Sequence, residues 1–145
     1  MAQWIGTKLR YGKVMENGVV KKVTEAYLVD ALSFAEAEAR ITEEMRSRIS
    51  GDFEVNAVKK AKIAEVLPSD GGGWWYKLRA MFISLDDKTG SEKLTPHDFL
   101  VEAEDIEEAI ANFKSEVHLL VDYKIAGVTE TAIMDVFPVK LSNDK

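Results

Sequence analysis

Cysteine is absent from the 145 residues, and histidine occurs only as His97 and His118. Without thiols the chain can form no disulfide, no cysteine-ligated metal site and no thiol nucleophile. Two isolated histidines do not make a metal-binding pattern, which needs several imidazole or carboxylate ligands at helical or hairpin spacing. His97 follows Pro96 at the start of a strand, and His118 ends a helical segment where the dipole favours a cation. Structural or solvated roles are expected for both. No apolar run is long enough to span a bilayer, and the start Met1-Ala2-Gln3-Trp4-Ile5-Gly6 lacks a charged segment followed by an apolar one. The expectation is a cytoplasmic chain with no membrane partner, no metal and no cofactor.

What the chain does have is a plan written twice. Lys8-Leu9-Arg10 returns as Lys77-Leu78-Arg79, and Tyr27-Leu28-Val29-Asp30-Ala31 returns as Phe99-Leu100-Val101-Glu102-Ala103. Asp52-Phe53-Glu54-Val55 returns as Asp122-Tyr123-Lys124-Ile125, and Ile63–Pro68 returns as Ile133–Pro138. Self-similarity of this kind predicts architecture before any single residue is interpreted. Each copy reads strand, turn, strand, helix, strand. Asn17-Gly18 suggests a two-residue hairpin loop, because both residue types tolerate positive φ. Gly90 suits a left-handed position in the longer turn 86–90.

Ser33-x-x-Glu36 and Asp105-x-x-Glu108 are capping-box patterns that start two helices. Phe34, Ala37, Ile41, Met45 and Ile49 form the apolar stripe of the first helix. Ile106, Ala109, Ile110, Phe113 and Val117 form that of the second. Phe34, Ile41, Ile106 and Phe113 are therefore expected to be buried. Gly51 is read as the left-handed end of the first helix. The third strands are placed at 53–67 and 123–137. The predicted fold class is α+β: two tandem β-β-α-β repeats forming one pseudo-symmetric domain, with about six mainly antiparallel strands and two helices. The expected organisation is a single domain, 1–145, with repeat one at 4–68, a glycine-rich joint at 69–73 acting as hinge, repeat two at 74–138 and a disordered tail at 139–145.

Val23–Phe34, Trp75-Tyr76-Lys77 and Ile133-Met134-Asp135-Val136-Phe137-Pro138 resemble a family of uncharacterised small proteins of Bacteroidetes bacteria and their phages and mobile elements. That family is a domain of unknown function. The resemblance covers nearly the whole chain, but it implies no catalytic residue.

The most suggestive residues lie on the first strand of each repeat. Alternation puts Trp4, Lys8 and Arg10 on one face, and Trp75, Lys77 and Arg79 on one face of the equivalent strand. Lys60 and Lys62 share a face of the third strand, and Lys21 and Lys22 flank the second. The helices are acid-rich. Aromatic rings among cations are how single-stranded DNA or RNA is bound, with bases on the rings and phosphates on Lys and Arg. Net charge is −6, which argues against general polyanion binding yet can hide a local patch. The alternative is that these cations only keep a sheet soluble while the tryptophans fill core or rim positions. Of Trp74 and Trp75, which point to opposite faces, one is expected in the core and the other partly exposed.

No Ser/His/Asp set is signalled, and the paired carboxylates fall at caps, turns or wet helix faces. Asp86-Asp87-Lys88-Thr89-Gly90 lacks the ligand alternation of a calcium loop. Gly71-Gly72-Gly73 has no Lys-Ser or Lys-Thr after it to meet a phosphate. Three readings therefore stand: a noncatalytic module binding single-stranded nucleic acid, a homo-oligomeric or protein-interaction module, and an enzyme with a site between the repeats.

Overall fold

The structure, a computed structural model, describes residues 3–117 and 121–138. His118 and the tail placed at 139–145 lie outside the described residues. The class is α+β, as predicted, with two helices and eight strands in two mixed, mostly antiparallel sheets rather than about six strands. No helix among the described residues is long and apolar enough to cross a membrane.

By packing, the chain divides into two compact units. One comprises the described residues up to Ala61 together with those from Ala132 onward, and the other is Lys62–Thr131. In the first unit, β1 (Gln3–Val14) and β2 (Val20–Ala31) form a long hairpin, followed by α1 (Phe34–Arg46) and β3 (Phe53–Lys60). In the second, β4 (Glu65–Leu67) precedes the hairpin β5 (Trp74–Leu85) and β6 (Glu92–Ala103), then α2 (Ile106–Glu116) and β7 (Asp122–Glu130). Strand β8 (Ile133–Phe137) belongs to the first unit. The sheet orders are β3-β1-β2-β8 and β4-β6-β5-β7, with β8 parallel to β2 and β4 parallel to β6.

The expected third strands are thus each split in two. β3 runs antiparallel to β1 until Lys60 faces Ile5, and the Ala61 N–H makes a final bond to the Trp4 carbonyl at 3.0 Å. There the β1–β3 ladder ends and the chain leaves the sheet. β7 ends the same way, with the Thr131 N–H on the Trp75 carbonyl at 3.0 Å. The chain therefore passes between units at 61/62 and 131/132. Residues 69–73 instead connect β4 to β5 inside the second unit. Gly73 there has φ +128°, and a Cβ on it would lie 2.3 Å from the Ala103 carbonyl oxygen, so the position requires glycine.

Both helices start as their caps predict. Ser33 Oγ accepts from the Glu36 N–H at 3.1 Å, and Asp105 Oδ1 from the Glu108 N–H at 2.8 Å. The glutamates reach back one residue beyond the cap, to the N–H of Leu32 and of Glu104, both at 3.2 Å. Helix α1 ends at Arg46 with Ser47 as its cap, so Gly51, at φ +92°, shapes the link to β3 rather than the helix end. The first hairpin also differs from expectation. Gly18 N–H bonds to the Met15 carbonyl and Met15 N–H to the Val19 carbonyl, both 2.9 Å, and Gly18 alone has positive φ. The loop is Glu16-Asn17-Gly18, a turn followed by a left-handed glycine, because Asn17 keeps an ordinary φ. Gly90 is left-handed as expected, at φ +71°.

Each sheet buries one face under its helix. Ile5, Leu9, Tyr27, Val29 and Ala31 pack with Ala37, Ile41, Met45, Ile49 and Phe137. In the second unit Phe113 meets Phe99 edge-on at 4.9 Å and Tyr123 at 5.6 Å. Phe34 and Ile106 depart from the expectation, at 52% and 48% exposed. Each is the first helical residue after its cap, where the stripe has not yet come over the sheet. Phe113→Ala should therefore cost about 3–5 kcal/mol in urea denaturation, since Phe113 is fully buried. Phe34→Ala should cost less than about 1 kcal/mol. Comparable losses for the two would contradict this assignment of the core.

Candidate binding face

Alternation along β1 turns Ile5, Thr7 and Leu9 toward α1 and leaves Trp4, Gly6, Lys8 and Arg10 on the other face. Cross-strand register then says what joins them. Lys8 faces Ala26 and Ala57; Arg10 faces Thr24 and Glu54; Gly12 faces Lys22; Gly6 faces Lys59. Directly opposed residues share a face. Lys8, Arg10, Lys22 and Lys59 are therefore four exposed cations on one side of one sheet, with Trp4 half-buried beside them. None of the four closes to ion-pair distance with a carboxylate among the described residues, although Glu54 lies opposite Arg10.

Lys22 and Lys59 emerge only from this register. Lys60, the sequence candidate, falls on the other face, because it pairs with Ile5 on the helix-covered side. Lys62 lies in the connection after β3, outside any strand. For Lys60 the cause is a bulge in β3 between the pairs Lys8–Ala57 and Leu9–Val55, which leaves Asn56 extra and reverses the alternation beyond it.

In the second unit the candidates fare differently. Trp75 is 5% exposed, so its ring offers no open face for a base to stack on; Trp74, at 61%, is the exposed one. Leu100, opposite Lys77 on the face away from α2, is fully buried. Lys77 is exposed. Arg79 is engaged by a two-point bridge to Asp98, Nε to Oδ1 at 2.8 Å and an Nη nitrogen to Oδ2 at 3.1 Å. The Arg79 hydrogen bonds hold the Asp98 carboxyl below its ordinary range, and Asp98 raises the Arg79 guanidinium in turn. Farther out, Met81 and Leu94 stand where the first unit has Arg10 and Lys22, with exposed Lys124 opposite Met81.

Register also corrects the sequence match. Trp4 faces Asp30 and Trp75 faces Glu102, while the bulges fall after Lys8 and after Arg79. Matching the ladders on these points sets Lys8 against Arg79, not Lys77. The Lys-Leu-Arg strings sit two residues out of step, and a slip of two leaves every side chain on its expected face.

Other polar groups are accounted for locally. Glu25 accepts hydrogen bonds from the hydroxyls of Tyr11 and Tyr27, both 3.0 Å, with Lys13 Nζ 4.0 Å away. Burial first, then the Glu25 carboxylate, pushes both phenols above their ordinary pKa. His97 stacks on Phe82 at 4.0 Å between centroids. Asp86 Oδ1 accepts the N–H groups of Lys88 and Thr89 at 2.8 and 3.1 Å, which lowers its pKa and fixes the second hairpin loop. Among the described residues no group of three or more histidines and carboxylates is placed to hold a metal. An open groove of about 430 Å³ runs beside α1 and the outer edge of β3, lined by Glu38, Thr42, Arg46, Asp52, Phe53 and Val55.

The molecule is thus an α+β protein of two hairpin-and-helix sheets, one of which carries four exposed cations on the face away from its helix, with Glu54 and Asp30 as the carboxylates among them. The chain belongs to the family described as Domain of unknown function (DUF4494), whose model matches residues 3–139. No curated protein and no solved structure matches it.

The Asp98–Arg79 bridge has a pH signature. The folded carboxyl gives up its proton more readily than the unfolded one, whose pKa is about 4. Its stabilising contribution is complete above that value and is lost as pH falls through the lower folded value. Urea midpoints between pH 6 and pH 2 should therefore drop more steeply for the native chain than for Asp98→Asn. Parallel pH profiles would rule the bridge out as a contributor.

Proposed function

We propose that the chain is a noncatalytic module that binds single-stranded nucleic acid through the β1–β3 face of its first unit. The observation that carries this reading is the group Lys8, Arg10, Lys22 and Lys59, exposed on one sheet face of a chain whose net charge is −6. Four exposed cations on one sheet face suit a phosphate backbone, which carries its charge at regular intervals along an extended path. Among the described residues Trp4 is the aromatic on that face able to meet a base. Phosphate contacts of this kind give affinity without reading sequence. A cytoplasmic site of action and an origin in Bacteroidetes bacteria or their phages belong to the same proposal, the latter implied by the resemblance alone.

Fluorescence anisotropy of labelled oligothymidine at low salt tests the reading. Saturable binding is expected, weakening with salt at a slope of about 2–3 in log–log terms if some three to four phosphates are engaged. Lys8→Ala and Arg10→Ala should each lower the affinity for every sequence alike, and Arg79→Ala should have little effect, since that guanidinium is already engaged by Asp98. No saturable binding, or equal losses from Arg79→Ala and Arg10→Ala, would overturn it.

A further inference from the structure

We propose that the outer edge of β3 pairs with β3 of a second copy of the chain, antiparallel about a twofold axis between Asn56 and Ala57. This goes beyond the nucleic-acid reading and does not depend on it. β3 is the longer outer strand of its sheet: β8 at the other side is five residues against its eight, and the elements packed on β3 are β1 and α1. Among the described residues no strand pairs with its outward backbone N–H and C=O groups, and the surface that matches such an edge is another strand.

The sequence of β3 is complementary to itself in this register. With Asn56 opposite Ala57, Glu54 faces Lys59 of the partner subunit and Lys59 faces Glu54 of the partner subunit. Val55 likewise meets Val58 of the partner subunit, and Phe53 meets Lys60 of the partner subunit. Opposed residues must lie on the same face, and the bulge is what allows this. It puts Val55 and Val58 on the helix side together, as their pairing with Leu9 and Thr7 shows, although they are three residues apart. Glu54 and Lys59 share the other side, opposite Arg10 and Gly6. An unbulged strand would set each of these pairs on opposite faces. The axis stands perpendicular to the sheet, so the joined sheet keeps both copies of α1 on one side.

The groove beside β3 fits the same arrangement. It flanks the helix side of the edge, where Lys60 of the partner subunit would arrive opposite Phe53. Glu38 and Asp52 line it there and offer carboxylates to the ammonium, while Arg46 lines it as the one cation. Applying the same operation to β7 sets Lys124 against Thr129 and makes no opposite-charge pair on that face. Charge complementarity therefore selects β3 and a second copy of this chain.

Sedimentation velocity over a concentration series, with Glu54→Lys, Lys59→Glu and the double exchange, tests the proposal. The native chain should self-associate to a dimer. Each single reversal creates like charges at both symmetric positions and should weaken the dimer about tenfold or more, and the double exchange should restore it to within about threefold. A native chain that stays monomeric at the highest attainable concentration overturns the proposal. So does a dimer indifferent to the single reversals, or a double exchange no tighter than either. Thermal melts show which variants are folded; should one single reversal unfold, the other and the double exchange decide the matter.

Discussion

The pairing of β8 with β2 is the constraint on which the first unit rests. Five residues near the end of the described chain close a sheet begun at Gln3, so the closure joins segments about a hundred residues apart. Side chains of α1 and the turn after it hold that strand. Arg40 donates to the carbonyls of Asp30 at 2.7 Å and Pro138 at 2.9 Å, stitching the ends of β2 and β8 to the helix. Arg48 bridges to Asp135 at 3.5 Å and lies 5.0 Å over the Phe137 ring, which itself stacks on Tyr27. The exposed ion pair is worth little alone. Its importance lies in orienting Phe137 into the core, where burial of an aromatic ring contributes about 2–3 kcal/mol.

The second unit solves the same problem with other chemistry. Asn112 takes the place of Arg40, donating to the Glu102 carbonyl at 3.1 Å, and the Glu102 carboxylate accepts from the Ser69 N–H at 2.9 Å. At the next level down the hairpin, Glu25 with its two tyrosines gives way to His97 stacked on Phe82. On the face away from the helix both units bury a leucine, Leu28 and Leu100, while Arg10 and Lys22 of the first unit give way to Met81 and Leu94 in the second, where Lys77 and Lys124 stay exposed. The same strand order within each sheet thus carries two different faces, and in the second Arg79 is already engaged by Asp98.

Much of this was legible in local sequence. Caps, left-handed Gly90 and the in-out alternation of β1 and β5 are set by neighbours a few residues apart, and those signals hold. What local sequence does not contain is where a partner strand stops. Nothing in 53–67 says that the ladder with β1 ends where Lys60 faces Ile5, so the break after Lys60 is invisible without the pairing. Register is hidden for a related reason. A two-residue slip preserves every face, so the Lys-Leu-Arg coincidence looked like correspondence, whereas a bulge adds one residue and flips the faces beyond it. That single extra residue moved Lys60 off the candidate face and brought Lys59 onto it. The choice between Trp74 and Trp75 turned on burial on the face away from the helix, where alternation alone ranks the two equally.

The order of units along the chain reverses the usual order of completion during synthesis. As the polypeptide leaves the ribosome, everything the second unit needs has emerged once Thr131 is clear. The first unit, whose hairpin and helix appeared long before, must wait for Phe137. Until then the β2 edge at Ala26–Val29 is unpaired, an exposed strand of the kind that recruits wrong partners. The chain thus spends the making of a whole second unit holding one sheet open, and slow translation through 62–131 would lengthen the period in which that edge can capture a neighbouring nascent chain.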